Sequence, residues 1–226
     1  MLKFKRVRGG KTDEASFDTK ALILAGWSGR DDASVKGHIE ELGHLGVPAP
    51  SSYPLLYRVS HTLVSLTERL EVLGPHTSGE IEYVIVSMDD GLWVTVGSDQ
   101  TDRVAEVHGV ALSKQLAGKV LGETLWWLDD VRGHFDQLML RAHVVIDGKR
   151  VLYQEGALGL IRTPEDLLGR FEVGKGLPPG TIMMSGTLNA IGGVRPAARF
   201  EMELSDPVLK RSITKAYDIA PLPVIT

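Results

Sequence analysis

Glu80-Ile81-Glu82 opens the apolar run Tyr83-Val84-Ile85-Val86, and Asp99 follows in the cluster Gly97-Ser98-Asp99-Gln100-Thr101-Asp102-Arg103. Residues i and i+2 of a strand project from one face, so on a strand the Glu80 and Glu82 carboxylates point the same way. Adjacent carboxylates repel unless a cation or a proton is shared between them. The pattern predicts a hard-cation site with Asp99 as the third oxygen ligand, suited to Mg2+ or Mn2+, with Ca2+ able to take the place in a crystal. An ion held by three carboxylates keeps open coordination positions, which suit a substrate that chelates through two oxygens, such as a 2-oxo carboxylate. Polarising that carbonyl stabilises an enolate, the intermediate shared by C–C hydrolysis, decarboxylation, dehydration and keto-enol tautomerisation.

Other residues can complete such a site. His38 and Glu41 stand three apart, so on a helix they share a face, and a carboxylate can hold an imidazole in one tautomer while it activates water or moves a proton. Arg103 or a lysine can pair with a substrate carboxylate, and the Gly186-Thr187 backbone and hydroxyl can donate to bound oxygens. Each feature has a plainer rival. Glu201-Met202-Glu203 repeats the Glu-x-Glu spacing as the solvated face of a strand would. Asp99 in a Gly-Ser-Asp turn can serve only the turn, and Asp102 is an alternative ligand. His44, His61, His76, His108, His134 and His143 show no ligand spacing. Trp126-Trp127 is expected in the core or at a dimer interface.

These residues need strands and a helix to hold them. Val35 to Leu45 is predicted as a helix, preceded by Asp31, Asp32 and Ser34 and closed by Gly46 and Pro48. Asp89-Asp90-Gly91 predicts a hairpin that returns Asp99 toward the glutamates, and Asp147-Gly148 predicts a second between Gln137–Ile146 and Arg150–Tyr153. Thr163-Pro164-Glu165-Asp166 has the order of an N-cap, a first-turn proline and first-turn acids, opening a short helix through Leu167 to Phe171. Leu2–Val7 is expected as an exposed edge strand before the polar stretch Gly9–Asp18, and Lys20–Leu24, Ser60–Leu66, Thr181–Met184 and Phe200–Leu204 as further strands. Together these predict a β-rich α+β chain.

The 226 residues, 43% hydrophobic, fit one large domain. A formal charge of -4 gives no positive field for phosphate backbones or anionic lipid, so neither nucleic acid nor membrane is an expected partner. The absence of cysteine excludes disulfides, thiolate metal sites and a cysteine nucleophile, and it fits a reducing cytoplasm. Met1 to Lys11 is basic but is not followed by the apolar stretch of a signal peptide.

From Asp31 onward the ordered motifs resemble the fumarylacetoacetate hydrolase superfamily, and the wording is closest to a DUF2848-like side branch. The metal signature resembles Glu80-Ile81-Glu82 followed by Ser98-Asp99-Gln100-Thr101-Asp102-Arg103, which puts Asp99 at a ligand position and Arg103 at the motif arginine. The H-x-x-E element resembles His38-Ile39-Glu40-Glu41, the late hairpin ending in Gln resembles Asp147-Gly148 through Gln154, and Gly180 to Leu188 resembles the late G-D-x-I-x-T-G-T-P. The resemblance implies a mixed β-roll around a closed barrel, with residues 1–30 as N-terminal strands and loop and 31–226 as core. It also implies a dimer, a small carboxylic acid substrate, His38 as base oriented by Glu41, and a substrate-contacting lysine that is Lys114 by local pattern or Lys119 by distance. Hydrolysis is the name-giving reaction. The chain departs from the pattern in a shorter Glu82-to-Asp99 spacing, in Glu106 where Gln is usual at a substrate-contacting place, and in Leu188 where Pro is usual.

Overall fold

A computed structural model describes residues 1–44, 46–171 and 176–225; the side chains of His38, Glu41 and Leu42 lie outside that description. The chain begins with the hairpin β1 (Leu2–Arg8) and β2 (Lys11–Phe17), then β3 (Ala21–Gly26), helix α1 (Asp32–His44) and β4 (Leu55–Val59). Short strands β5 (Val64–Ser65), β6 (Arg69–Leu73) and β7 (Thr77–Ser78) lead to the long hairpin β8 (Ile81–Met88) and β9 (Gly91–Asp99). Next come β10 (Thr101–Asp102), α2 (Arg103–Glu106), α3 (Val110–Gln115), β11 (Lys119–Leu121), β12 (Thr124–Trp127) and α4 (Leu128–Arg132). A second hairpin, β13 (Met139–Ile146) with β14 (Lys149–Ala157), precedes α5 (Pro164–Arg170), β15 (Thr181–Met184), β16 (Arg199–Asp206) and β17 (Arg211–Leu222).

Ten strands form one mixed sheet in the order β2-β1-β12-β9-β8-β15-β3-β4, with β11 joining β9 to β5. Five more form the order β14-β13-β16-β17-β6. The expected closed barrel is absent among the described residues: the ten-stranded sheet ends at β2 and β4 without joining them. β2 carries Lys11, Thr12, Asp13 and Glu14, all exposed, in the charged manner that keeps edges from pairing. Leu2–Val7 is likewise not an edge, since β1 pairs with β2 on one side and β12 on the other. In place of the strand Ser60–Leu66, a 3-10 turn at His61–Leu63 separates β4 from β5.

β8 explains the run Tyr83-Val84-Ile85-Val86. All eight of its residues are buried, because apolar layers cover both faces of the sheet there. Tyr83 and Ile85 join Val94, Val96, Leu140, Val144, Phe200, Leu204 and Tyr217 in the larger layer, between the two sheets. Val84 and Val86 join Leu22, Leu24, Leu121, Ile182 and Met184 in the smaller one. Trp126 is buried in the larger layer, and Trp127 packs edge-on against Trp93 at 5.0 Å, so both tryptophans serve the chain's own packing. Glu201 projects from β16 to pair with Arg150 at 2.7 Å, the solvated-face role expected for that Glu-x-Glu.

Candidate metal centre

The site lies where the smaller apolar layer gives way to charge. Val86, Val84 and Glu82 share one face of β8; Gly97 stands opposite Glu82, and Asp99 comes two residues on along β9. Lys119 faces Asp99 across the β9–β11 ladder. Glu80, one residue ahead of β8, accepts the Asp99 N–H through its carbonyl at 3.0 Å. One carboxylate oxygen each from Glu80, Glu82 and Asp99 lies within 4.8 Å of the others. Glu82 and Asp99 are 1% and 0% exposed, so these charges have left water.

Cations ring the acids. Lys114, reaching in from α3, places Nζ 2.5 Å from Asp99 Oδ2 and 3.1 Å from Glu80 Oε2. Lys119 Nζ forms an ion pair with Asp99 Oδ1 at 2.7 Å that falls outside hydrogen-bond angles, and it donates to the Gln100 and Lys114 carbonyls, each at 2.7 Å. Asp99 Oδ1 is therefore buried without a hydrogen bond. Arg103 donates to Glu80 Oε1 at 2.6 Å, to Glu106 Oε2 at 3.0 Å and to Ser78 Oγ at 2.7 Å. Asp102, the alternative ligand, instead caps α2: its Oδ1 accepts from the Val104 and Ala105 N–H groups at 3.0 and 2.9 Å.

The late strand completes the support. Gly186 N–H donates to Glu82 Oε2 at 2.8 Å, and Thr187 Oγ1 donates to the Ile81 carbonyl at 2.7 Å. These groups, expected to face bound oxygens, are turned toward the β8 start. Gln154, not assigned a role from sequence, clamps both sides: it accepts from Ile81 N–H at 3.0 Å and donates to Thr187 Oγ1 at 2.7 Å and to the Leu188 carbonyl at 2.5 Å. Its sequence signal is its place as the Gln that ends the late hairpin of the resemblance. Tyr217 meets Ser98 Oγ and Gln100 Oε1, each at 2.8 Å, and ties the five-stranded sheet to the residues flanking Asp99. No local pattern could reveal that contact. The structure thus assembles Glu80, Glu82, Asp99, Arg103, Glu106, Lys114, Lys119, Gly186 and Thr187. His38 and Glu41 lie on α1, and their side chains are outside the described residues.

Burial and neighbouring charge act against each other at Glu80, Glu82, Lys114 and Lys119. Burial, then the Asp99 and Glu80 carboxylates, push Glu82 well above the ordinary carboxyl range, with Lys114 drawing it partly back. Burial also pushes Glu80 up, but Lys114 and Arg103 outweigh it and bring Glu80 down to about 2. Burial lowers Lys114, yet Asp99, Glu80 and Glu82 leave it raised overall. Burial prevails at Lys119, which is lowered although Asp99 opposes. Three converging carboxylates, one buried oxygen without a hydrogen bond and one acid that resists ionising fit a hard divalent cation.

The sequence matches, over residues 25–217, the family model described as protein of unknown function (DUF2848). No curated protein matches. The fold is similar to that of a 2-keto-3-deoxy-D-arabinonate dehydratase complexed with magnesium and 2,5-dioxopentanoate, with a TM-score of 0.64 and 16% identity, covering 91% of this chain and 74% of that one. It is similar to yeast ynq8, a fumarylacetoacetate hydrolase family protein, with a TM-score of 0.64 and 13% identity, covering 92% and 95%. It is also similar to 4-oxalocrotonate decarboxylase from Pseudomonas putida G7, complexed with calcium and acetate, with a TM-score of 0.57 and 13% identity, covering 90% and 78%. The chain belongs to the DUF2848 family.

Proposed function

We propose that the chain is a divalent-metal-dependent enzyme acting on a small 2-oxo or β-dicarbonyl carboxylic acid through a stabilised enolate. C–C bond hydrolysis leads, with decarboxylation, dehydration or keto-enol isomerisation as rivals at the same site. The observation that carries this reading is the convergence of Glu80, Glu82 and Asp99 at the end of an apolar face, with Asp99 Oδ1 buried and not hydrogen-bonded. Glu80, Glu82 and Asp99 would hold Mg2+ or Mn2+, which supplies Lewis acidity toward a carbonyl and carboxylate oxygen. The magnesium and dioxopentanoate of the dehydratase and the calcium and acetate of the decarboxylase support the metal and substrate classes.

The chain's own groups divide the remaining work. Gly186 N–H orients Glu82, and Arg103, with Glu106 and Ser78 behind it, orients Glu80. Lys114 is the cation assigned to pair with a substrate carboxylate, because its ammonium meets both Glu80 and Asp99 and its side chain keeps some exposure where that of Lys119 has none. Lys119, spent on two carbonyls, braces Asp99 and the end of α3. His38, oriented by Glu41, is proposed to move the proton or activate water. A cytoplasmic homodimer acting on a free carboxylic acid completes the proposal.

The test is deuterium exchange at C3 of a panel of 2-oxo acids, followed by product mass. Exchange that needs Mg2+ and disappears in Asp99→Asn supports the enolate; no exchange with any acid removes it. Lys114 favours one other reading, since its ammonium already neutralises Asp99 and Glu80: a closed ion cluster in a non-catalytic module. That reading expects no rise in melting temperature with Mg2+.

A further inference from the structure

The segment Gly26-Trp27-Ser28 leaves β3 directly beside the triad, and the ion-binding reading gives it no task. Trp27 has φ 60, a left-handed conformation that a bulky aromatic residue adopts only under constraint. Its indole Nε1–H donates to Tyr57 Oη at 3.2 Å. Tyr57 stands opposite Leu24 on β4, Leu24 opposite Met184, and Met184 opposite Val84, so the tyrosine shares the sheet face from which Glu82 projects. Its ring lies over Gly26, where a Cβ would come within 2.6 Å of Cε2. Ser28 crosses Gly186, the residue that holds Glu82, so closely that a Cβ there would lie 2.0 Å from Ser28 Oγ. β4 is tied in turn to the helix that carries Lys114, because Ser60 N–H donates to Gln115 Oε1 at 2.9 Å. The segment and Tyr57 therefore border the cluster through Gly186 and through the end of α3.

Tyr57 is partly buried, and its oxygen accepts from Trp27 while its own O–H has no acceptor among the described residues. Burial raises the Tyr57 hydroxyl above its ordinary value, with the Trp27 hydrogen bond and the Lys114 charge drawing it partly back. A donor held in place by a constrained neighbour, partly exposed and with no acceptor among the described residues, is a group prepared for a ligand. Arg103, by contrast, is already engaged by Glu80, Glu106 and Ser78.

We propose that Tyr57 contacts the substrate beyond its chelating end, donating its O–H to a neutral oxygen on the tail, with Trp27 as the positioning residue. The substrate class narrows to 2-oxo monocarboxylates whose tail carries a hydroxyl or carbonyl rather than a second carboxylate. Lys114, whose present partners Glu80 and Asp99 would turn to the ion, takes the single carboxylate, whereas Arg103 keeps Glu106 and Ser78 as partners that the ion does not claim. This rests on the ion-binding reading above.

The test uses two inert chelators on the full chain with Mg2+. N-(2-hydroxyethyl)oxamate and N-propyloxamate present the same carboxylate and carbonyl, have no enolisable carbon, and differ by one tail oxygen. Calorimetry should show the hydroxyethyl compound bound about tenfold more tightly, the ratio worth one hydrogen bond to a neutral donor. Tyr57→Phe keeps the ring over Gly26, so it should retain the Mg2+ affinity and the N-propyloxamate affinity, with a small fall in melting temperature from the lost Trp27 bond, while bringing the ratio close to one. Trp27→Phe should narrow the ratio part of the way. An equal affinity for the two compounds in the natural protein, or a ratio that survives in Tyr57→Phe, overturns the proposal while leaving the ion-binding reading standing. If neither oxamate binds in a Mg2+-dependent way, the underlying reading falls and the proposal with it.

Discussion

Glu82 is the residue on which the site turns, because without a cation its ionised form is opposed by burial and by two neighbouring carboxylates. A carboxyl raised in the folded state contributes most at low pH and loses that contribution as pH rises through its folded value. Glu82→Gln keeps an oxygen for the Gly186 N–H and removes the charge. In the metal-free protein it should raise the melting temperature by about 2–4 °C at mildly alkaline pH, a difference of about 1 kcal/mol. The gap should close in acid, below the ordinary carboxyl value of 4.5. Stabilisation by Mg2+ should be lost in the same variant; a variant less stable than the natural protein at alkaline pH would contradict the electrostatic account. Gly186 carries a second prediction. With φ 83 and the Ala25 carbonyl 2.6 Å from any added Cβ, Gly186→Ala should cost more than about 2 kcal/mol in chemical denaturation. At this scale the Glu80 and Glu82 spacing was legible in the sequence, since period 2 alone aligns the two side chains. Asp99 over Asp102 was not legible from spacing, because both are short acids three residues apart, and the cap at Val104 and Ala105 tells them apart.

Local chemistry fixed the hairpins and the short helix, and there the sequence spoke clearly. Asp147 and Gly148 have φ 51 and 73, the left-handed pair that a tight turn requires, and β13 and β14 extend from them as anticipated. Thr163 caps α5 by accepting from Asp166 N–H at 3.2 Å, with Pro164 in the first turn. β2 was missed because a solvated edge strand needs no apolar alternation, and Lys11 to Glu14 show none. The segment Ser60–Leu66 was misplaced because pairing with β3 selects Leu55–Val59 instead. The β16–β17 turn depends on Asp206, whose Oδ1 accepts from Val208 and Leu209 N–H at 3.1 and 3.0 Å and lies 3.0 Å from His134 Nε2. Burial pushes Asp206 up, but these donors hold it below the ordinary carboxyl value of 3.8. Its contribution is therefore present above that value and is lost as pH falls through the folded one. Asp206→Ala should lower stability by about 1–3 kcal/mol near neutral pH, measured in urea, with the penalty shrinking in acid. An unchanged urea midpoint would show that the turn forms without it.

The described residues form two large sheets and the small pair β7–β10, with an apolar layer between the large sheets and a second apolar layer on the outer face of the larger one, ending in charge. No described helix is long and apolar enough to cross a membrane. Which sheet edges stay open is decided by pairing across the whole chain, so the closed barrel could not be checked against local pattern and proved absent among the described residues. The same holds for the support of the site: Lys114 and Lys119 on either side of Asp99, Gln154 between β8 and the late strand, and Tyr217 from the other sheet are contacts made only by tertiary folding. The central claim is that Glu80, Glu82 and Asp99 together hold a divalent ion. Calorimetric titration of Mg2+ into chelator-stripped protein near neutral pH tests it most directly. Binding of one ion per chain, weakened about tenfold or more in Asp99→Asn, is the expected result; no binding heat, or equal affinity in the natural protein and the variant, would contradict it.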